Sequence, residues 1–287
     1  MLRQFLILIL FILPLCIYGQ NKHVSLGSAE YGISFGNSAN YNGARFNLLD
    51  KNVNNINGLN ITGTSVLKIK YGDSVPNING LNFTVVYSSA KKVNGISINV
   101  ILDSIGRSNG IALGGLGSWV DKSNGINAGG LFARSQKSNG INAGFISAEG
   151  VRQNGIEASL FFTKAESKLN GIGLTNGILM GDTLNGLLWG GFAVGSPFLD
   201  SSTGRISGFA VSAVVVTANK MNGVAASVAF NYLDTLHGVS ISAVNLTKQL
   251  HGFEFGLINH AGNNRKPFRW TPFFNFNLRK KTRISSS

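Results

Sequence analysis

One short phrase, Asn-Gly-Ile, returns at a nearly constant spacing along most of this chain. It begins at Asn124, Asn139 and Asn154, with a step of 15 residues each time. Related phrases extend the pattern to fourteen units, which we mark by their glycines. The marker glycines are Gly43, Gly58, Gly80, Gly95, Gly110, Gly125, Gly140, Gly155, Gly171, Gly186, Gly208, Gly223, Gly238 and Gly252. Internal repetition this regular determines the architecture before any single residue does.

Each unit also alternates in polarity with a period of two. After Gly125, one side carries Ile126 and Ala128, while the other carries Asn127 and Gly129. Alternation of this kind predicts a β-strand, because successive side chains of a strand point to opposite faces. Asn-Gly is a common turn dipeptide, since both residues tolerate a positive φ angle. One unit is therefore predicted to be one strand plus one turn.

Two architectures fit this unit. In a parallel β-solenoid each unit is one coil, and the asparagine that precedes each marker glycine would stack on its neighbours as a ladder. In an antiparallel barrel each unit is one strand, and successive Asn-Gly turns lie at opposite ends. A strand of about ten residues is long enough to cross a bilayer when tilted.

Four observations favour the barrel. One face of each strand is apolar and the other is small and polar, and the last strand (273–278) alternates aromatic with polar residues. With one strand before the repeats and this last one, the count is even, as in bacterial barrels. The three long connections all follow even-numbered units, which places them on one side. We therefore predict an antiparallel transmembrane β-barrel of about 16 strands, with the parallel β-solenoid as the alternative.

Apolar residues at the sixth position after many glycines fit the barrel poorly and favour the solenoid. They fall on the side that would face the barrel interior. These residues are Leu131, Ile146, Phe161, Phe192, Val214, Val244 and Ile258.

The ends of the chain differ from the repeats. Residues 1–19 have an early arginine, an apolar run and a small residue at the end, which predicts a secretory signal peptide. Residues 20–278 form the predicted barrel repeat domain, and residues 279–287 form a basic C-terminal tail. Export to the outer membrane of a Gram-negative bacterium follows, with a cell-surface or extracellular location as the alternative.

The final repeat, His251-Gly-Phe-Glu-Phe-Gly-Leu-Ile-Asn259, is followed by an aromatic segment that starts at Trp270. This arrangement resembles the surface-repeat proteins of spirochaetes and Bacteroidota, whose phrase is Gly-Leu-Gln-Ile-Gly-Leu-Val-Asn. The resemblance implies a surface or outer-membrane location. It implies no particular biochemical activity.

The sequence shows no catalytic or metal-binding pattern, so we predict neither an enzyme nor a cofactor. His237 and His251 occupy the slot that asparagine fills in most other units, which indicates a structural role. Several polar residues on the small-polar face would line the lumen of a barrel and bias ion passage. The predicted lumen-facing residues are Arg45, Glu157, Glu254, Asn99, Asn127 and Asn142.

These predictions lead first to a porin-like passive channel. The alternatives are a structural or accessory subunit of an outer-membrane complex, a surface adhesin, or a secreted β-solenoid with a repetitive binding face. The expected partners are outer-membrane lipid and lipopolysaccharide, with small solutes if the protein is a channel and an outer-membrane protein complex if it is an accessory subunit. Nucleic acid is not expected, although the net charge is +13, because the basic residues are not interleaved with aromatics.

Overall fold

A computed structural model describes residues 23–65, 75–195 and 204–278 of the chain. These residues form β-strands, bends and turns, and no helix occurs among them. The predicted signal peptide and basic tail lie outside the described residues. The chain divides after Gly144 into two compact units, which we call unit 1 and unit 2.

Unit 1 contains nine strands, and all but the first pair run parallel. The strands are β1 (His23–Gly27), β2 (Tyr31–Gly36), β3 (Asn40–Asp50), β4 (Asn55–Ser65), β5 (Asn77–Thr84), β6 (Tyr87–Asn99), β7 (Leu102–Gly114), β8 (Gly117–Gly129) and β9 (Phe132–Gly144). From β2 to β9 each strand pairs in parallel with the next one along the chain. Strand β1 pairs antiparallel with β2 and covers the first edge.

Unit 2 repeats this plan with shorter strands in its middle. Its strands are β10 (Ser147–Ser159), β11 (Phe162–Thr175), β12 (Ile178–Gly181), β13 (Thr183–Gly190), β14 (Ala193–Gly195), β15 (Arg205–Ser212), β16 (Val215–Ser227), β17 (Phe230–Ile241), β18 (Val244–Ala261) and β19 (Trp270–Asn277). Strands β10 to β18 pair in parallel, whereas β19 is antiparallel to β18 and covers the last edge.

The prediction of an antiparallel barrel is wrong. In each unit the marker glycine of one repeat lies opposite the marker glycine of the next, as in Gly110 opposite Gly125 and Gly223 opposite Gly238. The flanking residues pair in the same order along both strands, as in Asn109 opposite Asn124 and Ile111 opposite Ile126, so the strands are parallel. The repeats are therefore turns of a parallel β-solenoid, about 14 in number. The register also extends to Gly32, which pairs with Gly43, so the strand predicted before the repeats belongs to the same parallel series.

The Asn-Gly dipeptide was the misleading signal. It does bring a positive φ angle, which is 136° at Gly110, but the chain continues forward in strand β7 and does not reverse. A side chain at this position would also overlap the carbonyl oxygen of Gly95 on the preceding turn. The glycine is therefore needed for a bend within a strand and for a close approach between turns.

Each turn of the solenoid consists of three short extended segments. The first boundary, present in many repeats, is a residue that the strand pairing skips before the marker glycine. The second boundary is the marker glycine itself, and the third is a two-residue bend. In the repeat of Gly110 the bend is 115–116, and the pairing register skips Gly106. Counting from the marker glycine as zero, buried side chains fall mainly at −7, −5, −2, +2 and +4. Positions −6, −3, −1, +1 and +3 face outward in that repeat.

Candidate functional site

The residues predicted to line a channel lie in the interior of the solenoid. Arg45, Asn127 and Glu157 are fully buried, and so is Glu254, while Asn99 and Asn142 are exposed by at most 2%. These residues occupy +2, except Asn99 at +4, and both positions point inward. The water-filled lumen that the prediction presupposed is replaced by side chains in mutual contact.

Arg45 organises the interior at the start of unit 1. Its Nη1 donates to Asp50 Oδ1 at 2.6 Å and to Asn60 Oδ1 at 2.9 Å. Its Nε donates to the hydroxyl of Ser38, and Nη2 donates to Asn37 Oδ1. A buried guanidinium needs such partners, because an unpaired charge in the interior is strongly destabilising.

A series of hydrogen-bonded polar side chains continues from this cluster along the interior, from one turn to the next. Asn60 Nδ2 donates to Asn82 Oδ1 at 2.8 Å, and Asn82 Nδ2 donates to the hydroxyl of Ser97 at 3.0 Å. A second interior pair joins Asn127 to Asn142 at 2.8 Å. In these stretches the polar side chains of the inner face bond to one another, whereas the hydroxyls of Ser108, Ser123 and Ser138 have no hydrogen-bond partner among the described residues.

Two buried carboxyl groups have raised pKa values. Burial raises the pKa of Asp103 to about 8, with smaller opposing effects of nearby Asn99 and the backbone of Ser104. Burial also raises the pKa of Glu254 to about 7, with a smaller opposing effect of nearby Thr247. Both groups hold a proton at mildly acidic pH, and Asp103 still holds its proton at neutral pH, because desolvation disfavours the charged carboxylate.

One outer side of every described repeat is apolar, and we call it the apolar face. Positions +1 and +3 carry only Ile, Leu, Val, Phe, Trp or Ala, and none of these side chains is buried. The exposed fraction is 50% for Leu81 and 53% for Leu187. Phe161, Phe192 and Ile258, from the sixth-position set, extend this face at the bend; they are exposed and do not fill the core.

The neighbouring outer side is polar. The asparagines at −1 form the ladder expected of a solenoid, with Asn109 Nδ2 donating to Asn94 Oδ1 at 2.8 Å and Asn124 Nδ2 donating to Asn109 Oδ1 at 2.9 Å. In unit 2 the same slot joins Asn185 to Asn170 at 2.8 Å. A ladder of this kind holds each amide in one orientation.

His237 and His251 continue the −1 slot at the end of unit 2. Their rings stack with centroids 4.7 Å apart and an interplanar angle of 11°. Burial, with smaller contributions from His251 and Lys220, lowers the pKa of His237. Two neutral imidazoles can stack in this way, whereas two charged ones would repel each other.

Aromatic and basic residues meet in a groove at the end of unit 2. It has a volume of about 940 Å³. Its walls include Phe268, Phe274 and Phe276, with Arg265 and Lys266 also lining it. The groove adds exposed apolar surface next to β19, the strand that pairs with β18 at the end of unit 2.

Within the described ranges, no group of three or more His, Cys, Asp or Glu residues could hold a metal ion. No helix with the length and apolar composition needed to cross a membrane occurs among the described residues. No protein-family model, no curated protein and no solved structure matches the chain. The candidate functional features are therefore the apolar face and the polar side beside it.

Proposed function

We propose that this chain is an exported, non-enzymatic surface-repeat protein that attaches to a lipid surface through its apolar face. The observation that carries the proposal is the composition of positions +1 and +3, which are apolar in every described repeat and buried in none. Soluble monomers rarely expose apolar patches larger than a few hundred Å². A face that continues over successive turns of each unit requires a partner.

The charge distribution supports lipid as that partner. The apolar face carries no charged residue at +1 or +3 among the described repeats, and the net charge of the chain is +13. Arg134 is exposed at −6, and Lys164, which pairs in register with Glu149 at −6 of the preceding repeat, is also exposed on the side that follows the bend. Apolar burial together with cations near the interface is the combination by which peripheral proteins bind anionic bilayers.

Flotation with vesicles tests this attachment. The mature chain is mixed with vesicles of phosphatidylethanolamine and phosphatidylglycerol and centrifuged through a density gradient. Replacing Ile96, Ile111 and Ile126 with threonine is expected to reduce the lipid-bound fraction roughly tenfold, since each loses buried apolar area. The Ile→Val triple variant at the same positions is the matched control and should float as the wild type does.

Two results would contradict the proposal. One is a wild-type chain that stays in the lipid-free fraction. The other is a concentration-dependent dimer that the threonine variant abolishes while flotation is unchanged, because a second copy of the chain would then cover the face.

A further inference from the structure

We propose that unit 1 carries a binding site for a linear acidic polysaccharide on its polar outer side. The site consists of the side chains at −3 and −1 in four consecutive repeats, and we call it the amide–cation face. Its residues are Lys92, Asn94, Arg107, Asn109, Lys122, Asn124, Lys137 and Asn139. This inference goes beyond lipid attachment and uses a different side of the solenoid.

The cations of this face form a straight row across the strands. The register places Lys92 opposite Arg107, Arg107 opposite Lys122, and Lys122 opposite Lys137. Neighbouring strands are about 4.8 Å apart, so one positive charge recurs at each strand spacing. An extended chain of pyranose sugars advances by nearly the same length per sugar, so consecutive uronic acids can meet consecutive cations.

No ion pair neutralises this row within the described residues. The ion pairs present there involve Arg45, Lys164 and Lys248, and none involves the four cations. Asp121, the acid nearest to the row in sequence, accepts a hydrogen bond from Gln136 at 3.4 Å. Like charges on directly opposite positions destabilise a sheet, and a bound polyanion would remove that repulsion.

The amide ladder supplies directional hydrogen bonds beside the charges. Asn94, Asn109 and Asn124 each donate one amide hydrogen to the preceding asparagine, at 2.6 to 2.9 Å. A carboxamide has two donor hydrogens, so the ladder leaves a second one on each of these three residues. Because the ladder holds the amides in place, little conformational entropy is lost when sugar hydroxyls bind them.

Single-stranded nucleic acid fits this face less well. Proteins that bind it stack bases on aromatic side chains, and no aromatic residue stands at −3 or −1 in these four repeats. Fixed amides in a flat row suit hydroxyl groups, which recur on every sugar. The partner class that the side chains favour is therefore an acidic polysaccharide.

Unit 2 provides a natural comparison. Its −3 row is interrupted by Thr183, Thr235 and Gln249, and acidic residues stand beside the row at Asp182 and Asp234. The remaining unit 2 cations at −3 are Arg152, Lys168, Arg205 and Lys220. Replacing these four changes the net charge by the same amount as replacing the four cations of unit 1.

Binding of the full mature chain to polygalacturonate, measured by biolayer interferometry, tests the site. Changing Lys92, Arg107, Lys122 and Lys137 to glutamine should weaken binding about tenfold or more, because the charge contacts are lost. The unit 2 variant, with glutamine in place of its four cations, should change binding by less than about twofold. Fully methyl-esterified polygalacturonate should not bind the wild type, and circular dichroism verifies that each variant is folded.

The amides are tested separately by changing Asn109 and Asn124 to alanine. This variant should lose affinity for polygalacturonate while its weak binding to duplex DNA is unchanged. The proposal is overturned if both quadruple variants weaken binding equally, which would indicate net charge alone. It is also overturned if the wild type binds duplex DNA as tightly as polygalacturonate. The same holds if the variant with threonine at Ile96, Ile111 and Ile126 binds anionic vesicles as tightly as polygalacturonate.

Discussion

Units 1 and 2 share one backbone plan but enclose different interiors. In unit 1, position −2 carries Ser108, Ser123 and Ser138 in three successive repeats, whereas in unit 2 it carries Leu169 and Leu184. The buried apolar cluster of unit 2 contains sixteen residues, and that of unit 1 contains six. The comparison shows that the ladder of parallel strands tolerates either interior, since each turn needs only to match its neighbours.

The first prediction concerns the marker glycines, which both units share. Changing Gly110 in unit 1 or Gly223 in unit 2 to alanine should destabilise each unit by about 3 kcal/mol or more, because both glycines have a positive φ angle and no room for a side chain. Hydrogen exchange measured by mass spectrometry reports the loss of protection in each unit. Gly117, which has an ordinary φ angle and only moderate crowding, is the control, and its alanine variant should remain protected.

A second prediction concerns the charged part of the unit 1 interior. Changing Arg45 to methionine should cost about 3–5 kcal/mol, because Asp50 is left buried without its partner. Urea denaturation measures the loss. The double variant with Asp50→Leu should recover most of it, and a double variant as unstable as the single one would contradict this account.

A third prediction sharpens the contrast at position −2. Changing Leu236 in unit 2 to alanine should cost about 3 kcal/mol, because it removes a fully buried side chain. Changing Ser123 in unit 1 to alanine should stabilise the protein by up to about 1 kcal/mol, since its hydroxyl has no hydrogen-bond partner among the described residues. Equal effects at the two positions, measured by thermal denaturation, would remove the distinction between the interiors.

The last prediction concerns the pH dependence of stability. A carboxyl group whose folded pKa is raised stabilises the fold below its unfolded pKa and loses that contribution as the pH rises through the folded pKa. Asp103 therefore lowers stability between about pH 4 and pH 8, by at most about 1.4 kcal/mol per pH unit. Glu254 acts in the same direction up to about pH 7.

Urea denaturation across this pH range separates the two groups. The Asp103→Asn variant should flatten the decline up to pH 8, and Glu254→Gln should flatten it only up to pH 7. A wild type whose stability rises over this range would contradict the assignment of both groups.

Much of the local structure could be predicted from the sequence. The repeat, its strands and the inward direction of +2 follow from periodicity, because alternation in a strand is a local property. The positive φ angle at the marker glycines also follows from the Asn-Gly dipeptide. The amide ladder was foreseen only as a consequence of the solenoid alternative.

The direction of the strands could not be predicted in this way. A period of two and an even number of strands are equally compatible with parallel and antiparallel pairing. The prediction of a channel depended on this choice of strand direction. Arg45 and Glu254 were assigned to a water-filled lumen because a barrel of this size has one. In a solenoid the same inward positions are buried against other side chains.

The sequence by itself determined which residues lie on the same side of each repeat, since side-chain alternation depends only on the local backbone. The tertiary structure decided what each side meets. Pairing of Gly110 with Gly125 in the same direction puts Asn127 into the interior, and it leaves Ile111 and Ile126 adjacent on the outer face. That outcome depends on hydrogen bonds between residues fifteen apart, and no local pattern distinguishes them from hydrogen bonds to a reversed neighbour.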